Sequence, residues 1–171
     1  MSSKLGGFTL IEIMIVIALM IIIAGLGFEF LMKPALGLYA DNTINDIIQY
    51  FNYVKGQNKA LSSYNDSYGI SFVNPQNDDP YYLMFKNNTA TVVEKIPLPN
   101  NITYLNPVQG ERIDLFFCKD PDSSLLCNES GAKICDEIFQ IGLKTTFLNV
   151  SRNIFISTSS SDLCVPFVWK E

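Results

Sequence analysis

Residues 8–28 read FTLIEIMIVIALMIIIAGLGF, an apolar run in which Glu12 is the single charge. At 1.5 Å per residue such a run makes a helix roughly 31 Å long, the thickness of a bilayer's hydrocarbon core. Lys4 precedes the run and acidic residues dominate after it. The positive-inside rule therefore puts residues 1–7 in the cytoplasm and the rest of the chain outside. A cleaved secretory signal has a similar outline, but two features oppose that reading. A carboxylate at mid-membrane costs about 2.5 to 3.5 kcal/mol on insertion scales, which is an odd feature in a disposable leader. The only small-x-small exit is Gly25-Leu26-Gly27, with no Ala-x-Ala nearby.

Composition narrows the function. The chain has 171 residues, a net charge of -5 and no histidine. That length suits one globular unit beyond the apolar run. The absence of imidazole removes the commonest general base, a common metal ligand and every Ser-His or Cys-His nucleophile. An isoelectric point near 4.7 provides no basic field for nucleic acid. No catalytic residue, cofactor or metal is assigned. Asp78-Asp79 and Asp120-Pro121-Asp122 lack EF-hand spacing and read as solvated turn carboxylates.

The N-terminal residues GGFTLIEIMIVIALMIIIAGLG, from Gly6 onward, resemble the type IV pilin and type II secretion pseudopilin family. The resemblance implies a seven-residue leader, MSSKLGG, cut after Gly7 by a membrane prepilin peptidase that also methylates the new amine of Phe8. It also implies that Glu12, the fifth residue after the cut, sets subunit registry. The physical reason can be stated independently. A charge in lipid needs a partner, and the span contains no other charged side chain, so the partner must come from elsewhere. The freed amine of Phe8 on a neighbouring subunit is such a cation. The implied partners are other pilin subunits, the peptidase, an inner-membrane assembly platform and lipid, with the C-terminal domain on the periplasmic side. Major pilins often carry a helix proline at the position that Glu29 fills here, which points to a minor subunit.

Beyond the membrane, residues 29–63 continue the helix past Pro34 and Gly37, a pair that can bend it. Ile44, Ile47, Ile48, Phe51, Val54 and Leu61 fall near i, i+3, i+4, i+7 spacing, an apolar stripe that must meet a partner surface. From residue 64 to 171 the period changes to two. YGISFV, YYLMFK, ATVVEKI, ITYL, RIDLFFC, EIFQIGLK, NIFIST and LCVPFVW are strand candidates, with a hairpin at Lys86-Asn87-Asn88-Thr89. The expected fold is α+β, a long N-terminal helix packed on one C-terminal antiparallel sheet. This is also the layout the resemblance implies, with order and spacing similar to the H-type minor pseudopilins.

Cys118, Cys127, Cys135 and Cys164 all lie in the C-terminal third and include no Cys-x-x-Cys pair, so disulfides fit better than zinc. Three connectivities are open. In one, Cys118 and Cys135 close the loop 119–134 and Cys127 ties that loop to the last strand through Cys164. Two functional classes remain. One is a structural filament subunit, in a secretion pseudopilus or a type IV pilus, and the other is a membrane-tethered binding module or enzyme. Some minor pilins take up DNA with basic residues near the C-terminus, but here SSSDLCVPFVWKE offers only Lys170.

Overall fold

The structure is a computed structural model that describes residues 9–61, 66–118, 125–147, 150–158 and 166–171, with 28–31 as helix backbone only. Helix α1 runs unbroken from Leu10 to Lys59, passing through Pro34. Thr9 caps it in extended conformation, and at the other end the Ala60 amide closes back onto Gly56 and Gln57. The apolar stripe is real. Leu36, Ala40, Ile44, Ile47, Phe51 and Val54 are buried at helical spacing, while Leu38, Tyr39, Asn42, Asn45, Asp46, Gln49, Asn52 and Tyr53 face solvent.

The strands are β1 (Tyr68–Asn74), β2 (Tyr81–Lys86), β3 (Val92–Pro97), β4 (Ile102–Asn106), β5 (Glu111–Phe117), β6 (Leu126–Cys127), β7 (Ile138–Thr145), β8 (Ser151–Thr158) and β9 (Pro166–Lys170). They form two antiparallel sheets, not the single one expected. One has the order β3-β2-β1-β5-β6 and the other β4-β7-β8-β9. Period-two alternation reports which residues face inward and carries no information on which strand is the neighbour. After β3 a turn at Pro99 leads the chain into β4, which pairs with β7, while β5 returns to β1. Strand β6 lies inside the segment 119–134, where no strand candidate was expected.

One apolar cluster joins the layers. Ile44, Ile47, Phe51 and Val54 of α1 meet Ile70, Phe72, Leu115 and Phe117 of the first sheet and Ile141, Leu143, Ile154 and Ile156 of the second. Phe51 and Phe117 have ring centroids 5.4 Å apart. The architecture is therefore α+β, with one long N-terminal helix packed on antiparallel sheets. Asn58, buried in the last turn, donates to the Cys118 carbonyl at 3.1 Å and accepts from the Tyr68 amide at 2.9 Å. Those bonds tie the helix end to the start of β1 and the end of β5, and they satisfy a polar group that would otherwise destabilise the core.

The expected hairpin is present. Asn87 adopts φ 65°, and the Lys86 amide bonds the Thr91 carbonyl, so the turn is longer than the four residues expected. The cysteine pairing differs from the connectivity drawn above, because Cys118 bonds Cys127. The reason is local. After β5 the chain doubles back and β6 pairs beside it, Phe116 opposite Cys127, which brings the two thiols together across the hairpin. Cys135 is also disulfide-bonded, and Cys164 lies outside the described residues.

A pH response follows from the core. The Tyr82 ring lies edge-on to Tyr50, 5.0 Å between centroids. Burial first, and then the charges of Asp46 and Glu94, push the Tyr82 phenol up to about 12. Tyr50 and Tyr104 shift upward too, chiefly through burial. The native state thus holds phenolic protons that the unfolded chain releases from about pH 10. Stability is fully present below pH 10 and falls as pH rises toward 12. Urea denaturation of the full chain in detergent should show a steeper alkaline decline for the parent than for Tyr82→Phe. Identical slopes would remove Tyr82 from the account.

Candidate functional site

The feature with no partner inside the chain is the first third of α1. Every described side chain from Leu10 to Leu26 is exposed, with Leu10 at 79%, Met20 at 65% and Leu26 at 72%. Its most apolar 18-residue window has a mean hydropathy of 2.8 and is 0% buried. A helix that is apolar all round requires an apolar environment on every side. This helix is long and apolar enough to cross a membrane.

Glu12 sits in the first turn of this segment. The Thr9 amide and the Thr9 hydroxyl both donate to Glu12 Oε2 at 2.8 Å, and the Glu12 amide donates back to Thr9 Oγ1 at 3.3 Å. This is a complete capping box, satisfying orphan amides at the helix start. The expectation that Glu12 finds no partner in its own span is corrected to that extent. Thr9 supplies hydrogen bonds, but no cation among the described residues pairs with the carboxylate. The Thr-x-x-Glu spacing at Thr9 is itself a capping signature in the sequence, so this partner was legible without coordinates.

Where the helix joins the domain, polar clasps hold it. Arg152 of β8 donates through Nε to Asp41 Oδ1 at 3.0 Å, Lys170 of β9 reaches Asn45 at 3.2 Å, and Lys55 reaches the Pro166 carbonyl at 3.4 Å. Burial of the Lys55 stem lowers its ammonium's proton affinity, consistent with its place against β9. These pairings link residues more than a hundred positions apart, and no local sequence signal announces them.

Of the residues singled out in the sequence, Gly7 and Phe8 lie outside the described residues, and so do Asp120, Asp122 and Cys164. Asp78 faces Lys95 at 3.6 Å and also accepts the Asp79 amide. Among the described residues no three His, Cys, Asp or Glu side chains converge as metal ligands. A groove of about 430 Å³ between β5, β6 and β7 is lined by Asp114, Glu129, Lys133 and Glu137 among others, a mixed-charge wall with no nucleophile and base in contact. No protein-family profile, curated protein or solved structure matches the chain.

Proposed function

We propose that this chain is a minor pilin-like subunit, held in the inner membrane by residues 8–28, cut after Gly7, methylated at Phe8 and assembled into a type II secretion pseudopilus or a type IV pilus. The observation that carries the reading is the division of one continuous helix. Its first third is bare and apolar all round, and its second half is locked into the domain by Ile44, Ile47, Phe51 and Val54. A plain tether needs no such rigid continuity, whereas a subunit that packs helix against helix does. The pilin-like motif at Gly6 to Gly27 and the lone Glu12 support the same reading.

Lateral contacts in lipid stabilise such a helix little, because acyl chains solvate Leu and Ile as well as a neighbouring helix does. Storage in the bilayer is therefore reversible, and the bare helix becomes buried among its copies only on assembly. The domain, clasped through Asp41 and Asn45, follows the helix as one body.

Mass spectrometry of the N-terminus tests this reading. The mature chain should begin at a methylated Phe8, and Gly7→Ala should accumulate as the uncut precursor in the membrane. An intact Met1, cleavage after Gly27, or normal processing of Gly7→Ala would favour the tethered module instead.

A further inference from the structure

Three contacts align β8 with the helix. Arg152 meets Asp41, Lys170 opposite Ile154 meets Asn45, and Pro166 opposite Thr158 accepts from Lys55. Asp41 to Lys55 covers about 21 Å of helix, and Arg152 to Thr158 about 20 Å of strand. With contacts in the same order and lengths that match, β8 runs alongside α1 in the same direction. Followed backwards, the strand therefore points toward the level of the apolar run. It turns there: the Thr145 amide donates to the Val150 carbonyl, and Phe147 stands at the hairpin tip, 63% exposed.

The depth of this tip follows from the same alignment. Asp41 lies about 20 Å past Phe28, the last residue of the apolar run, along a helix unbroken through Pro34. Ser151, Val150 and the turn place Phe147 about 10 Å below Arg152, and so about 10 Å above the hydrocarbon of a bilayer centred on that run. The headgroup layer fills about 5 to 8 Å of that space. A tilt of about 20° toward the hairpin, ordinary for a membrane span, closes the rest because the tip stands off the helix axis.

The chemistry of the hairpin suits that layer. Its sequence, KTTFLNVSR from Lys144 to Arg152, holds two cations and no acid in a chain of net charge -5. Lys144 is on the outward face of β7, between the buried Leu143 and Thr145. Asp78, which lines the same cleft as Lys144, faces Lys95. An aromatic ring backed by a lysine fits a membrane interface, where the ring takes the apolar side and the ammonium the phosphates. A second copy that met this tip with its own would set cation against cation. Of anionic surfaces, the bilayer is the one that the chain's own helix holds against the tip.

We propose that the β7–β8 hairpin tip rests in the headgroup layer of the bilayer that holds α1, with Phe147 toward the acyl chains and Lys144 against lipid phosphates. The inference rests on the reading of residues 8–28 as a membrane anchor and goes beyond it. A lone span leaves the subunit free to turn about its own axis. A second contact off that axis fixes which way the helix tilts and faces, and with it the direction in which Glu12 is presented before assembly.

Tryptophan reporters in the full chain test this. In a Trp169→Phe background, which removes the single native tryptophan, Leu19→Trp, Thr146→Trp and Val93→Trp are introduced separately, each at an exposed position. The chains are reconstituted in vesicles of phosphatidylethanolamine and phosphatidylglycerol brominated either near the bilayer centre or near the headgroup. Leu19→Trp should be quenched by the deep bromine, and Thr146→Trp at least about twofold by the shallow bromine. Adding Phe147→Ser or Lys144→Glu to Thr146→Trp should remove most of that quenching. Val93→Trp, beside Glu94 at the level of Tyr50, should stay bright. Unquenched Leu19→Trp would remove the anchor and the proposal with it, whereas quenched Leu19→Trp with bright Thr146→Trp overturns the proposal and leaves the anchor standing. The proposal also falls if the quenching survives both Phe147→Ser and Lys144→Glu. It falls equally if Thr146→Trp emission changes only as protein is crowded relative to lipid, which would make the tip a contact between copies.

Discussion

Gly69→Ala should destabilise the domain by roughly 3 kcal/mol, at the upper end of what overpacking costs. Strand propensity alone predicts the opposite sign, since glycine weakens a strand interior and alanine should improve it. The structure reverses this. A Cβ on Gly69 would lie 2.1 Å from Phe85 Cζ and 2.7 Å from the Leu115 carbonyl oxygen. Neither neighbour can yield easily. Phe85 is 1% exposed and lies edge-on to Phe116 at 5.0 Å, and the Leu115 carbonyl belongs to the β1–β5 ladder. Phe85 stands directly opposite Gly69 on β2 and Phe116 directly opposite it on β5, so the two rings close over the one position without a side chain. For a domain with about 5 to 15 kcal/mol in hand, such a loss lowers the melting temperature by several degrees or more. Urea denaturation of the full chain in detergent, followed by near-UV dichroism, measures it. A loss under 1 kcal/mol would mean Phe85 does not lie over Gly69. Gly69→Ala combined with Phe85→Leu should recover part of the loss, because the two positions share one volume.

The second large effect concerns Glu12 and rests on the proposed assembly. Glu12→Ala and Glu12→Gln should each reduce filament incorporation by about two to two and a half orders of magnitude, which corresponds to the 2.5 to 3.5 kcal/mol scale of an uncompensated charge in lipid. Comparing the two substitutions separates the roles of the side chain. Alanine removes both the capping box with Thr9 and the charge. Glutamine keeps an acceptor for the Thr9 amide and hydroxyl, and removes only the charge. Loss of the cap by itself costs about 1 kcal/mol of helix stability, so Thr9→Val, which retains the carboxylate, should assemble far better than either. Quantifying sheared filaments against the membrane pool reads out all three. If Glu12→Gln assembled like the parent, capping would be the whole function of Glu12 and the inter-subunit charge pair would be discarded.

Much of this fold was legible from local pattern. The capping signature at Thr9, the bare apolar run and the stripe from Ile44 to Val54 each follow from spacing along one helix, and α1 contains them all. The strand segments at Tyr68, Tyr81 and Ile138 were visible by the same kind of reasoning, since alternation is a property of neighbours in the chain. Strand β6 was not visible, because two residues are too few to show any period, and the Cys118–Cys127 bond depends on the hairpin that β6 completes.

The amino-acid sequence by itself determined that this protein has a membrane-compatible helix with one carboxylate, continued by an amphipathic half and followed by strands. These are short-range facts, set by hydropathy at periods of 3.6 and 2. Only the tertiary structure decided that the strands divide into two sheets, that Arg152 and Lys170 clasp the helix at Asp41 and Asn45, and that Gly69 lies beneath Phe85. It also stacked Phe155 and Phe167 each against Trp169. Each of these joins residues distant in sequence, and which of many possible partners meet depends on the simultaneous burial of one shared core rather than on any local preference.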